Sequence, residues 1–357
     1  MRPTEISELQ EIVRTHSRLS ISGGKTKTAL HNIGDDVKNI DLSGIEGMVE
    51  YNPNEFTFTA RAGTDLGQLA RMLGDHEQYL PFDPPFVEQG ATIGGTVASG
   101  VSGPGRFRYG GIRDFIIGIA YVDGQGNIVH SGGKVVKNAA GFDLSKLVVG
   151  SLGRYGAIVE CSFKVFPKPE VLKTLRVGFP TLDEALDSLI SITRMPMDLY
   201  ALDIIPHSDK YFLLMRMGGV EEILLDRIYR LQRVTGDGEV IEGEADAKTW
   251  REIANFKWLQ AGEILVKIPV TPKRVFELDR VLSGASAKCN YSVGCNVAWV
   301  AWRKPIDELD LKLNKLGLSG LVLLGEVDKI HIGLKKGNQF SKKVKEALDP
   351  ENRWVEV

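Results

Sequence analysis

Gly90-Ala91-Thr92-Ile93-Gly94-Gly95-Thr96 keeps its side chains small over seven positions and opens the most glycine-dense part of the chain. Seventeen of the 39 glycines fall between Gly90 and Gly156. Glycine is conformationally expensive to order, so such density needs a reason. A loose linker would also be rich in serine, proline and charge. Here the glycines alternate with apolar, strand-like runs such as Phe115–Val122 and Ala157–Val165. The pattern predicts a layered sheet whose loops bring bare backbone N–H groups close to a large phosphorylated ligand.

Working outward, 357 residues are too many for one small core and predict two domains. The chain is 43% hydrophobic and 25% charged with a net charge of −2, which gives no electrostatic reason to expect nucleic acid or an anionic membrane. No apolar run approaches the roughly 18–20 residues of a spanning helix. Met1-Arg2-Pro3-Thr4-Glu5 lacks a signal-peptide apolar core. Three cysteines argue against a disulfide framework and for a reducing cytoplasm, with Cys289 and Cys295 read as buried small apolar residues.

Apolar spacing predicts a helix over Thr4–Arg14 with Thr4 as N-cap, then a short strand at Arg18–Ile21. Strands follow at Ile40–Leu42, Gly47–Tyr51 and Glu55–Ala60, the last alternating Phe56, Phe58 and Ala60 with threonines. Asp65–Leu73 reads as a helix capped by Thr64, and Asp123-Gly124-Gln125-Gly126 as a hairpin turn. Beyond Glu170 glycine thins out. Leu172–Gly178, Leu182–Arg194, Leu199–Ile205, Tyr211–Met217 and Val220–Val234 follow the order β-α-β-β-α of a ferredoxin-like sandwich, and a fainter set recurs between Glu263 and Leu324. Lys335–Lys345 holds five lysines and no acid, either a solvated helix face or a docking surface.

Ser22-Gly23-Gly24-Lys25-Thr26 follows a strand, so its N–H groups and the Thr26 hydroxyl suit an anion nest. It is neither a Gly-x-Gly-x-x-Gly fingerprint nor a phosphate loop with the four-residue gap. Arg106, Arg108 and Arg113 offer charge for phosphates or for an acidic partner, although Arg113 also sits beside Asp114 as a structural ion pair would. Trp250-Arg251 and Trp299-Val300-Ala301-Trp302-Arg303 fit either core packing or the lining of a carboxylate pocket.

These motifs in this order (SGGKTK, PFDPP, ATIGGTVASGVSGP, KNAAGFDLSKL, VGSLG and KVFPKP) resemble the flavin-binding domain of the vanillyl-alcohol-oxidase-like, PCMH-type flavoproteins, and within them the E-type subunits of bacterial glycolate oxidases. The resemblance runs from about Ile21 to Pro169. It implies an α+β fold: a two-subdomain FAD-binding domain over 1–169, a ferredoxin-like cap over 170–330 and a C-terminal arm over 331–357. It implies FAD with its pyrophosphate wrapped by Ser22, Gly23, Gly24, Lys25 and Thr26 and by Thr92, Gly94 and Gly95. Gly153, Gly156 and Ile158 would approach the adenine or ribityl side. Pro81, Gly90, Ala91, Gly103, Arg106, Arg113 and Asp114 complete the implied set. Lys137, Asn138 and Asp143 lie on a loop near the flavin in relatives, or are held by that loop's own side-chain bonds. Phe142 replaces a usual tyrosine.

Lys25 stands where covalently flavinylated members carry histidine, so non-covalent FAD is expected. The histidines beyond residue 130, His207 and His331, do not form the His-x-Gly-Asp-Gly-Asn-x-His metal motif of catalytic relatives, and no metal is expected. Asp349-Pro350-Glu351-Asn352-Arg353 departs from the relatives' Asn-Pro-Gly-Arg ending, so a shortened covering arm is expected. The implied function is an accessory or electron-transferring FAD subunit of a complex that oxidises 2-hydroxy acids such as glycolate and D-lactate. Its partners would be a catalytic flavoprotein subunit and an iron–sulfur subunit, in the cytoplasm or peripheral to the inner membrane. A self-sufficient flavin oxidoreductase and a structural subunit with an empty site are the alternatives. Fold alone does not choose among them.

Overall fold

Leu9 and Val13, one turn apart, are wholly buried on α1 (Ile6–Thr15), as the spacing predicts. Its N-cap position is Glu5, not Thr4, and the Thr4 N–H donates to the Glu8 carboxylate at 3.0 Å. The computed structural model describes residues 1–31, 34, 36–133, 143–335 and 338–355. The chain divides into one unit of Met1–Ser102, Gly111–Lys168 and Lys336–Val357, and a second of Gly103–Gly110 and Pro169–Lys335.

In the first unit, β1 (Leu19–Ser22) pairs in parallel with β2 (Lys38–Asp41). β3 (Met48–Asn52) and β4 (Thr57–Arg61) are joined by α2 (Leu66–Gly74), β5 (Gln78–Tyr79) and α3 (Ile93–Ser99) to later strands. Phe58 and Ala60 lie in the core, but the expected alternation fails: Thr59 between them is buried as well, and Phe56, in the left-handed region just before the strand, is exposed. α2 is capped by Asp65, whose carboxylate accepts from the Gln68 N–H at 2.9 Å. The neighbouring Thr64 hydroxyl is already committed to the Arg61 carbonyl at 2.7 Å, which explains why the cap falls one residue later than expected. Asp65→Ala should therefore lower stability by about 1 kcal/mol in urea titration, whereas Thr64 would show no capping contribution.

α4 (Arg106–Tyr109) belongs to the second unit, and α5 (Ile112–Phe115) returns the chain to the first. β6 (Ile116–Val122) and β7 (Ile128–Gly132) form the hairpin expected around Asp123–Gly126. α6 (Leu144–Leu147), β8 (Ala157–Lys164) and β9 (Phe166–Pro167) follow. The resulting antiparallel sheet has the order β3-β4-β8-β6-β7. Leu9, Val13, Leu19, Ile40, Val122 and Val159 meet in one core cluster.

The second unit runs β10 (Val171–Phe179), α7 (Leu182–Thr193), β11 (Leu199–His207), β12 (Lys210–Gly219), α8 (Glu221–Thr235) and β13 (Glu239–Glu242). Its antiparallel order β13-β10-β12-β11 is that of a ferredoxin-like sandwich. After α9 (Gly243–Ala254) the pattern repeats: β14 (Ile264–Pro269), α10 (Pro272–Ser283), β15 (Lys288–Ser292), β16 (Val297–Trp302), α11 (Ile306–Leu316) and β17 (Ser319–Leu324) lie in the order β15-β16-β14-β17. The two repeats join edge to edge at Ile204 and Tyr291 of β11 and β15, and β18 (His331–Gly333) extends the sheet to nine strands.

The span 331–357 is therefore not one arm. β18 pairs with β17, whereas α12 (Asn338–Leu348) and the residues after it belong to the first unit. Trp354 is buried beside Leu19, whose N–H donates to the Arg353 carbonyl at 2.7 Å. Of the lysine run, Lys345 is buried against Asp349 and the Trp354 carbonyl, while other members face solvent.

Candidate functional site

The turn after β1 brings Gly24 so close to the loop before α3 that a Cβ there would overlap the Gly90 carbonyl oxygen and come within 3.0 Å of its carbon. A second close approach sets the depth of the site: the Gly94 N–H donates to the Ala62 carbonyl at 2.8 Å, and a Cβ on Gly94 would sit 2.6 Å from that of Ala62. Thr92 fixes the start of α3 by accepting from the Gly95 N–H at 3.2 Å. Ser22 is held by its hydroxyl, which donates to Asn39 Oδ1 at 2.7 Å. Two glycine loops far apart in sequence thus share one backbone-to-backbone contact.

Between them lies a cleft open to solvent. Ser22, Gly23, Gly24, Lys25 and Thr26 line one wall, Thr92, Gly94 and Gly95 a second, and Gly153, Gly156 and Ile158 a third. Among the described residues no lining side chain is acidic, while Lys25, Lys27 and His31 are basic. Lys25 takes the left-handed φ of 51° and reaches outward to Asp41, 3.5 Å away. Lys27 turns inward. It is only 6% exposed, and its ammonium lies 3.3 Å from the Thr26 hydroxyl and 5.2 Å from the centre of the Phe86 ring.

Burial pushes the Lys27 pKa down from 10.5 to about 8. Burial, then the charges of Lys25 and Lys27, also lower the His31 pKa, with Asp41 opposing. Between pH 8 and 10.5 the unfolded chain binds more protons at Lys27 than the folded one, so folding becomes more favourable as pH rises through that window. Without ligand, the stability advantage of Lys27→Met over wild type should be largest below pH 8 and shrink toward pH 10.5, as read by chemical unfolding at each pH.

The remaining expected site residues fall elsewhere. Gly90 supplies the contact to Gly24, and the Ala91 carbonyl accepts from the Leu66 N–H at 2.9 Å. Pro81 is buried away from the cleft lining. Gly103 and Arg106 sit in the second unit, because the segment that carries them packs there. Phe107 covers Gly294, and the Arg108 guanidinium stacks on Tyr200 at 4.4 Å. Burial and the charge of Arg106 lower the Lys267 pKa to about 8. Arg113 is exposed, and Asp114 bonds not to it but to the Gly111 N–H at 2.8 Å. Asp143 caps α6 by accepting from the Lys146 N–H at 3.3 Å. Lys137, Asn138 and Phe142 lie outside the described residues.

In the second unit, buried Trp250 donates from Nε1 to the Thr174 hydroxyl at 2.8 Å, and Trp299 packs edge-on to Phe256. Both tryptophans are core residues. Sequence reasoning passed over Lys27, His31, Ala98, Ser99 and Leu152, all of which line the cleft. The second lysine of Lys25-Thr26-Lys27 was the available signal, but an irregular turn has no periodicity that tells an inward from an outward side chain.

Residues 1–132 match the model of the FAD binding domain. The chain is 36% identical over 199 residues to "Glycolate oxidase subunit GlcE" of Escherichia coli, covering 55% of this chain and 56% of that protein. It is 28% identical over 210 residues to "Glycolate oxidase subunit GlcD" of Bacillus subtilis, covering 54% of this chain and 44% of that protein. A D-lactate dehydrogenase of Archaeoglobus fulgidus is 32% identical over 140 residues, 39% of this chain and 31% of that one. The chain thus spans about half or less of the length of these curated relatives. A solved alkyldihydroxyacetonephosphate synthase superposes with a TM-score of 0.74 at 14% identity, over 99% of this chain and 74% of that one, which shows the shared fold.

Proposed function

From the match of residues 1–132 to the FAD binding domain model, we propose that this chain is the FAD-containing subunit of a complex that oxidises 2-hydroxy acids such as glycolate and D-lactate. The observation that carries this reading is the cleft itself: three walls of largely bare backbone, basic side chains and no acid among its described lining residues. Such a lining suits a diphosphate with flat rings at either end. Ser22–Thr26 and Thr92–Gly95 would hold the pyrophosphate, and Gly153, Gly156 and Ile158 would lie along the adenine or ribityl side. Lys25, a residue type that does not form the histidyl flavin linkage and here pairs with Asp41, supports non-covalent binding. When bound, FAD supplies a two-electron acceptor.

The chain's part in the complex is accessory or electron-transferring, beside a catalytic flavoprotein subunit and an iron–sulfur subunit. The likeness to the two named glycolate oxidase subunits supports this assembly. Residence in the cytoplasm, or at the inner membrane through partners, accords with this role; no helix among the described residues is long and apolar enough to cross a membrane.

An anaerobic visible spectrum tests the reading. The purified chain should show a flavin band that acid releases and that persists when glycolate or D-lactate is added alone. Bleaching by either acid without partner subunits would instead make the chain a self-sufficient dehydrogenase.

A further inference from the structure

Three lysines among the described residues are no more than 6% exposed, and they are not alike. Lys173 donates to Glu221 at 2.8 Å and to Glu242 at 2.6 Å. Lys345 is paired with Asp349. Lys27, as buried as either, pairs with no described carboxylate; it has a hydroxyl at 3.3 Å and the face of Phe86. Buried charges are ordinarily paired, because an unpaired one loses its hydration without compensation. A cation–π contact and one long hydrogen bond replace only part of that hydration.

Lys27 also lines the cleft from which acids are absent. It lies three positions after Gly24, in the loop that Thr92 packs against at Gly23. Resting on the FAD reading, we propose that the Lys27 ammonium is the counter-charge for the dinucleotide's pyrophosphate, a buried cation to which the described residues offer no carboxylate and the ligand brings a phosphate anion. Lys25, exposed and engaged with Asp41, is then a rim residue with a lesser part. A cation at this place favours ligands with a diphosphate over the same rings without one, so it selects FAD and ADP over riboflavin.

The test uses the full-length chain freed of flavin, with FAD, ADP and riboflavin as probes and binding read by flavin fluorescence or by displacement. Lys27→Met should weaken FAD and ADP by about 30-fold each, the range of a lost charge-assisted bond, and riboflavin by less than about twofold. The ligand-free variant should melt no lower than wild type. Lys27→Gln, neutral but still polar at its end, should show the same ligand pattern and serves if the methionine chain misfolds. Lys25→Met should lose less than either.

If wild type binds FAD and both Lys27 variants bind FAD and ADP equally well, the counter-charge role is wrong while the FAD reading stands. An equal loss for riboflavin also overturns the role, since the effect would then not be on phosphate. If wild type takes up no FAD at all, the reading beneath the proposal falls with it.

Discussion

Gly24→Ala should yield a chain that purifies nearly colourless and unfolds at lower urea. The added methyl would overlap the Gly90 carbonyl, and Gly90 cannot yield easily. It holds a left-handed φ of 85°, and its N–H donates to the Val87 carbonyl at 3.1 Å. The Ser22–Thr26 turn must therefore move instead, which parts the two loops that frame the cleft. Overpacking a backbone contact of this kind costs about 3 kcal/mol or more, and the displaced donors should lower flavin occupancy at least tenfold. Both are read from one preparation, as the flavin-to-protein absorbance ratio and a urea titration. A variant with full occupancy and an unchanged midpoint would show that the loops do not need this contact.

The second large effect lies in the other unit. Asp246, 1% exposed on α9, accepts from Arg216 Nε at 3.0 Å and Nη2 at 2.7 Å, and also from the Thr174 hydroxyl. Thr174 and Arg216 face each other across β10 and β12, and Trp250 closes the network from α9. Asp246→Ala would strand a largely buried guanidinium and an acceptorless hydroxyl. We expect a loss of about 3–5 kcal/mol by urea unfolding, with most of it recovered when Arg216 is replaced by Met alongside Asp246→Leu. A single-variant loss below about 1 kcal/mol would mean that water reaches this network freely.

Much of this was legible in the residues themselves. Phe58 and Ala60 are core residues as their apolar character suggests, although Thr59 is buried between them and Phe56 is not, and the β-α-β-β-α order after Glu170 gives the observed strand order. The small-residue loops converge because bare backbone is their physical purpose. Other features had no local signature. Gly103–Gly110 continues the glycine-rich texture of the first unit, yet Phe107 and Arg108 find their partners, Gly294 and Tyr200, some ninety positions or more away. Thr64 and Asp65 are both good helix caps, and a turn-specific bond from Thr64 decides between them. Lys25 and Lys27 differ only in direction, which a turn's sequence does not encode.

The return of residues 338–355 to the first unit has a consequence for how the protein is made. Ser341 meets Arg154 and Tyr155, the Asp349 side chain lies against Gly124, and Trp354 fills the space beside Leu19. On a ribosome, the nine-stranded sheet has all its strands once His331–Gly333 has emerged, while the flavin cleft's own unit still lacks pieces of its core. The half of the molecule translated first is thus the half finished second: the unit that carries the cleft completes its core only after residues 338–355 have emerged.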